Sequence, residues 1–234
     1  MTVSIYAPGG SDQETAQDKS IADAAVVAGA QFLIYSTVPS PTKLTLGQCP
    51  GGVFRLQRRC QDLYRGPARQ VRHLRTRGLY AEHSRSSPST TRSVGQLAVT
   101  NFVEPDMQFP LIDVAEDTGK FVGAMLVDPE RYAGQTFCAA TRIYTMAEIV
   151  QIMSAMSGKE IRYDRIPKDV FARNIPEASR ETFLNMFGYF EDCDYYGPES
   201  KQLVNWAATN ARGSPSTFEN FLKRNALPIR AELR

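Results

Sequence analysis

No run in this 234-residue chain approaches the roughly 18 apolar residues that a membrane span needs. The N-terminus, MTVSIYAPGGSDQET, has no charged segment followed by an apolar one. Neither membrane insertion nor secretion is expected. Cysteine is sparse, and Cys49, Cys60, Cys138 and Cys193 show neither CxxC spacing nor the density of a disulfide scaffold. Buried, reduced thiols in a cytoplasmic or nuclear protein are the expectation. Histidine is scarcer still, His73 and His83 alone. Neither is near the acids Glu191, Asp192 and Asp194, which read as a solvated acidic face beside Tyr195 and Tyr196, so no metal is expected. No Tyr-x-x-x-Lys pair occurs. Lysine is absent from Val53 to Arg92, forty residues that hold ten of the twenty arginines, both histidines and only two acids, Asp62 and Glu82.

At 42% hydrophobic and 22% charged, the chain has room for one large or two small domains and can bury a sizeable core. Its net charge of +2 divides unevenly: the lysine-free window carries +8 with histidine neutral, leaving −6 for the rest. The bulk of the fold therefore does not ask for an acidic partner.

Outside the window the patterns are regular. Val3-Ser4-Ile5-Tyr6 reads as a short strand and Ala7 to Gly10 as a turn. Ser11 with Glu14 has capping-box spacing for a helix whose face carries Ile21, Ala22, Ala25 and Val26, with Gly29 placed to end it in a left-handed conformation. Gln31 to Ser36 is a continuous apolar strand of the kind buried on both faces of a parallel sheet. Strand, helix, strand is a βαβ unit, and ligands of open parallel sheets lie beyond the carboxyl ends of the strands. Tyr6 and the Tyr35-Ser36-Thr37 end are thus expected at the mouth of a site.

After the window, Ala98 to Phe102 and Pro110 to Ile112 are candidate strands. Asp113 with Glu116 caps a helix whose inner face is expected to carry Val114, Phe121, Val122, Met125 and Leu126. Gln135 to Ala140 reads as a buried strand. Thr145 with Glu148 caps a helix through Ile149, Ile152, Met153 and Met156 to Gly158. A helical tail follows the Ile166-Pro167-Lys168 turn: Glu177 to Phe190, Ser200 to Asn210, and a last helix capped by Ser216 with Glu219.

Several of these blocks carry a family likeness. Gln17 to Ala25 followed by Phe32-Leu33-Ile34-Tyr35-Ser36 resembles the QGKxLADAA…HFVYSS stretch of the NmrA-like proteins, atypical short-chain dehydrogenases that include fungal nitrogen regulators and isoflavone-reductase-like enzymes. The likeness continues through Pro110 to Val122, Asp128-Pro129-Glu130-Arg131-Tyr132 and Met186-Phe187-Gly188-Tyr189-Phe190, covering roughly residues 1–50 and 96–226. It implies an α/β fold with a partial Rossmann-like parallel sheet and helices, an NAD(P)-binding region over 1–143, and a small, mostly helical substrate lobe over 144–234. It also implies NADP as cofactor. The family's glycine-rich turn, GATGxxG, and the basic residue after its second strand are not found in the sequence, and its T-N-Y-like turn corresponds to Ser4-Ile5-Tyr6. The expected cofactor contacts are Ser4, Ile5, Tyr6, Tyr35 and Ser36. Tyr189 and Tyr196 are the expected substrate contacts.

Three readings compete for the arginine-rich window. Arg58, Arg59, Arg65, Arg69, Arg72, Arg75 and Arg77, with Tyr64 and Tyr80 between them, could pair with phosphates and stack on bases as a nucleic-acid arm. Ser84 to Thr91, mostly Ser, Thr and Pro, suits a solvated loop instead. The third reading explains the missing lysine: a GC-rich coding sequence read out of frame favours arginine. Permitted codons for Asp62 through His83, read one base later, yield IYIEALPVKSATFVPAGFMQNI, which resembles the family's helix, its Pro-Val strand and the turn that follows. On that reading 51–91 lacks order, and a strand and a helix are missing from the sheet.

The resemblance implies an NAD(P)-dependent oxidoreductase that reduces a carbonyl or enone of a small-molecule substrate, as in fungal secondary-metabolite pathways. The alternative is a non-catalytic, NADP-binding redox sensor that regulates a protein partner. The absence of a recognisable catalytic set favours the second; the absence of the phosphate-binding turn counts against both.

Overall fold

The computed structural model describes residues 10–37, 70–76, 97–225 and 227. The Val3–Tyr6 strand, the Ser4-Ile5-Tyr6 turn and most of the arginine-rich window lie outside the described residues.

Helix α1, Gly10–Val27, opens one residue before Ser11, so that serine lies within the first turn and not at the cap position. Its end is as expected. Gly29 has φ 76°, its N–H donates to the Val26 carbonyl and that of Ala30 to the Ala25 carbonyl, both at 2.9 Å. These are the paired bonds of a Schellman turn, and only glycine adopts that φ without strain. On the buried face, Ala22 is enclosed while Ala25 and Val26 are half-buried. Ile21, assigned to the same face, is 58% exposed, because one residue along a helix is a turn of about 100°.

Strand β1, Phe32–Thr37, runs parallel to β2, Gln70–Thr76, and β2 runs parallel to β5, Thr136–Ala139. The order β1-β2-β5 corrects one expectation. A strand forms inside the arginine-rich window and takes the middle place in this sheet, because its neighbours supply backbone partners along both of its edges. Phe32 to Tyr35 are half-buried, short of the full enclosure expected of a continuous apolar strand.

Two strand pairs complete the β-structure of the described residues. β3, Leu97–Asn101, runs parallel to β7, Ile161–Arg165. β4, Gln108–Leu111, runs antiparallel to β6, Arg142–Thr145. The β3–β7 pair joins residues on opposite sides of position 143.

Helix α2, Val114–Val127, is capped by Asp113, whose Oδ1 accepts from the N–H groups of Ala115 and Glu116. Phe121, Ala124 and Met125 share its buried face. Val114 and Leu126 fall off that stripe and are 44% and 60% exposed, which corrects their assignment to the core. Helix α3, Met146–Ser157, closes a full capping box: Glu148 N–H donates to Thr145 Oγ1 at 3.1 Å, and Thr145 N–H donates to Glu148 Oε2 at 2.8 Å. Thr145→Ala should cost about 1 kcal/mol in urea unfolding, the ordinary price of a lost N-cap.

The Thr145 backbone N–H holds the Glu148 carboxyl below the usual glutamate range against the opposing effect of burial, with further help from the Arg142 guanidinium. A depressed folded-state pKa stabilises above the unfolded pKa, and that stabilisation disappears as pH falls through the folded value. The stability gap between the natural chain and a Glu148→Gln variant is therefore expected to close on acidification below about pH 4.5. An unchanged gap at low pH would contradict the assignment.

The tail contains α4, Lys168–Arg173; α5, Glu177–Cys193; α6, Ser200–Asn210; and α7, Phe218–Arg224. Thr217, not Ser216, caps α7 by accepting from Asn220 N–H. Ser216 N–H is already committed to the buried Asp117 carboxylate, and this displaces the cap by one residue. One core cluster gathers Phe109, Phe171, Phe187 and Phe190 with Phe102, their rings meeting edge to face at centroid distances of 5.2–6.3 Å. A second, around Phe121, Met125 and Phe137, seats α2 beneath β5.

Candidate functional site

Because β1, β2 and β5 are mutually parallel, their carboxyl ends Thr37, Thr76 and Ala139 share one edge of the sheet. Tyr35 and Ser36 approach that edge on β1, in register with His73 and Leu74. Tyr35 is half-buried and packs towards Ala22 of α1, whereas Ser36 is exposed. The parallel pairing of β1 with β2 thus sets these two consecutive residues near the edge where parallel sheets bind ligands.

Tyr189 and Tyr196 are placed differently. Both are in the core cluster, at 4% and 1% relative exposure. The Tyr189 hydroxyl donates to the Tyr195 carbonyl at 3.3 Å. Tyr196 N–H donates to Ser200 Oγ, which donates in turn to the Gly197 carbonyl. The Tyr195 and Tyr196 rings meet edge to face at 4.6 Å. Together these contacts fix the turn between α5 and α6, where Asp194 has φ 51°.

A cavity of about 620 Å³ opens elsewhere, beyond the carboxyl ends of the parallel pair β3 and β7. Phe102, Arg165, Ile166, Pro167 and Lys168 form one side; Gly188, Glu191 and Asp192 of α5 form the other. Arg165 is held in place: Nε donates to the Phe102 carbonyl at 2.9 Å and Nη1 meets Glu104 Oε1 at 2.5 Å. Glu104 N–H donates to Glu191 Oε1 at 3.3 Å. Lys168 Nζ is 5.4 Å from the Phe102 ring centroid, within range of a cation–π contact. The Tyr163 hydroxyl nearby donates to the Val103 carbonyl at 2.6 Å, and burial pushes its pKa well above the ordinary phenol value. Tyr163 keeps its proton at neutral pH and serves as a brace for the β3 end.

The sequence reading missed this cavity. Ile166-Pro167-Lys168 read only as a turn and Glu191-Asp192 only as a solvated face, because they meet only through a pairing of strands 64 positions apart and the docking of α5 beside it. Among the described residues no group of three His, Cys, Asp or Glu side chains could hold a metal ion, and no helix is long and apolar enough to cross a membrane.

Known proteins resemble this arrangement over most of the chain. The model of the NmrA-like family matches residues 2–222. An NmrA-like family domain-containing oxidoreductase of Aspergillus campestris, cpsB, is 34% identical over 95 residues, covering 40% of this chain and 28% of the relative. A second NmrA-like family domain-containing oxidoreductase, lnbB of Aspergillus flavus, is 25% identical over 225 residues, covering 87% of this chain and 66% of the relative. The chain thus spans less than two thirds of either relative. A mutant NmrA superposes with a TM-score of 0.74 at 21% identity, covering 92% of this chain and 70% of that one. NmrA described as a negative transcriptional regulator in complex with NADP superposes at 0.66, with the same identity and coverage. Blocks in the same order, a match spanning nearly the whole chain and a shared α/β fold lead to one conclusion: this chain belongs to the NmrA-like family.

Proposed function

We propose that the protein is an NAD(P)-dependent oxidoreductase acting on a small molecule, and that the dinucleotide lies across the carboxyl edge of β1 and β2. The observation that carries this reading is the parallel β1–β2–β5 sheet, with Tyr35 and Ser36 delivered to its edge by the α1–β1 connection. The described residues fit one half of such a cofactor. Tyr35 and Ser36 offer hydroxyls at the strand end, while no glycine-rich strand-to-helix turn for the pyrophosphate lies among them. Ser4, Ile5 and Tyr6 are proposed as further contacts; Tyr189 and Tyr196 are enclosed in the core and support the C-terminal lobe from within instead of meeting a substrate.

The nicotinamide supplies the hydride when bound. The chain's part is orientation and a proton. Ser36, exposed at the sheet edge, can accept or donate a hydrogen bond, and the Tyr35 hydroxyl is proposed as the proton donor to a reduced carbonyl, a role in which a phenol needs the help of a neighbouring cation. Tyr35→Phe is expected to lower kcat by about 100-fold while leaving dinucleotide affinity within about threefold. Equal activity would remove Tyr35 from the chemistry.

A second reading, a redox sensor that binds the dinucleotide without turning it over, is favoured by the absence of a Tyr-x-x-x-Lys pair. Substrate-dependent NADPH oxidation, assayed across quinones, enones and aldehydes, separates the two. Consumption supports the oxidoreductase, and saturable binding without consumption supports the sensor.

A further inference from the structure

The cavity between the β3–β7 ends and α5 has a charge arrangement that the dinucleotide reading does not use. Lys168 makes a contact with the Phe102 ring but no ion pair among the described residues, and Arg165 beside it is already neutralised by Glu104. On the opposite side, Glu191 accepts one backbone N–H and Asp192 takes part in no hydrogen bond or ion pair among the described residues. A cation and two carboxylates therefore face a common space of about 620 Å³ without neutralising one another. Between them are the apolar surfaces of Phe102, Ile166 and Pro167. Gly188 keeps the α5 side open: a Cβ built on it would meet no atom within 4 Å.

We propose that this cavity binds an amino-acid-like zwitterion, its carboxylate against Lys168, its ammonium against Asp192 and Glu191, and its apolar side chain against Phe102, Ile166 and Pro167. An anion alone would satisfy Lys168 but face two carboxylates, and a cation alone would do the reverse. Only a ligand carrying both charges answers both sides. The volume lies within the range of ordinary small-molecule pockets and suits a ligand of one or two residues. The assignment involves no dinucleotide, so it stands or falls separately from the oxidoreductase reading.

The test uses the full chain with no cofactor added and three probes titrated by calorimetry or ligand-observed NMR. L-Phenylalanine carries both charges, 3-phenylpropanoate lacks the amine, and 2-phenylethylamine lacks the carboxylate. L-Phenylalanine should bind saturably and each single-charge analogue about fivefold more weakly or worse, the scale of one partly solvated ion pair. Lys168→Met should erase the advantage of L-phenylalanine over the amine, and Asp192→Asn its advantage over the acid. Gly188→Leu, which fills open space, should abolish binding while leaving the circular dichroism spectrum unchanged. Equal affinity for all three probes, no binding of L-phenylalanine, or full binding by a folded Gly188→Leu variant would overturn the proposal.

Discussion

Replacing Asp117 with alanine is expected to destabilise the fold by about 3 kcal/mol, the scale of breaking a buried, hydrogen-bonded ion pair. For a chain of this size that corresponds to a fall in Tm of roughly 6–12 °C. The Asp117 side chain is fully enclosed. Its Oδ1 meets Lys120 Nζ at 2.8 Å, and both oxygens accept from Ser216 N–H at 3.0 Å. Lys120 Nζ also donates to the Ser214 carbonyl, and Arg212 N–H donates to the Lys120 carbonyl. One carboxylate in α2 therefore anchors the loop that leads into α7, helped by the Arg224–Asp113 pair at 2.8 Å. Alanine would leave the Ser216 N–H without an acceptor and Lys120 without its partner. Its better helix propensity returns only about 0.5 kcal/mol. Asp117→Asn, which keeps one acceptor oxygen, should fall between the two. A loss below about 1 kcal/mol for Asp117→Ala would show that the loop is held by other contacts.

The second large effect concerns β2. Exchanging Asp62 to His83 for the alternative reading IYIEALPVKSATFVPAGFMQNI should raise stability by about 3 kcal/mol, or roughly 6–12 °C in Tm. The strand runs between β1 and β5, with Ile34 opposite Arg72, Thr136 opposite His73 and Cys138 opposite Arg75. A strand with neighbours on both sides favours β-branched and aromatic residues over charged ones. The alternative segment puts ATFV at 72–75, replacing both arginines and the histidine, and confines its lysine and proline to positions 70 and 76, the two ends of the strand, where they disturb the pairing least. Thermal unfolding of the two chains side by side measures the difference. A lower Tm for the exchanged chain would mean that the arginines are an integral part of the sheet.

Much of the fold was legible where local signals and burial agree. Thr145 and Glu148 announce their capping box by spacing alone, and the structure closes it with both bonds. Gly29 announces a left-handed helix end and adopts it, and Gly158, read only as the end of α3, does the same. Legibility failed where a distant residue takes over a local group. Ser216 has a capping spacing but loses its N–H to Asp117, ninety-nine positions away. The charge-rich composition of 70–76 argues against a strand, and only pairing with β1 and β5 makes it one. Of the edge that carries Tyr35 and Ser36, the apolar run of β1 is legible in the sequence, while its parallel partner β2 is not. The cavity could not be read, because it exists only through the pairing of β3 with β7 and the docking of α5 against them.

The measurement that bears most directly on the account is a titration of the purified chain with NADPH, following nicotinamide fluorescence, with a Ser36→Trp variant in parallel to block the β1 edge. Saturable binding by the natural chain is expected, with loss of that binding in a variant that stays folded. Absence of saturable binding by the natural chain, or undiminished binding with the edge blocked, would contradict it.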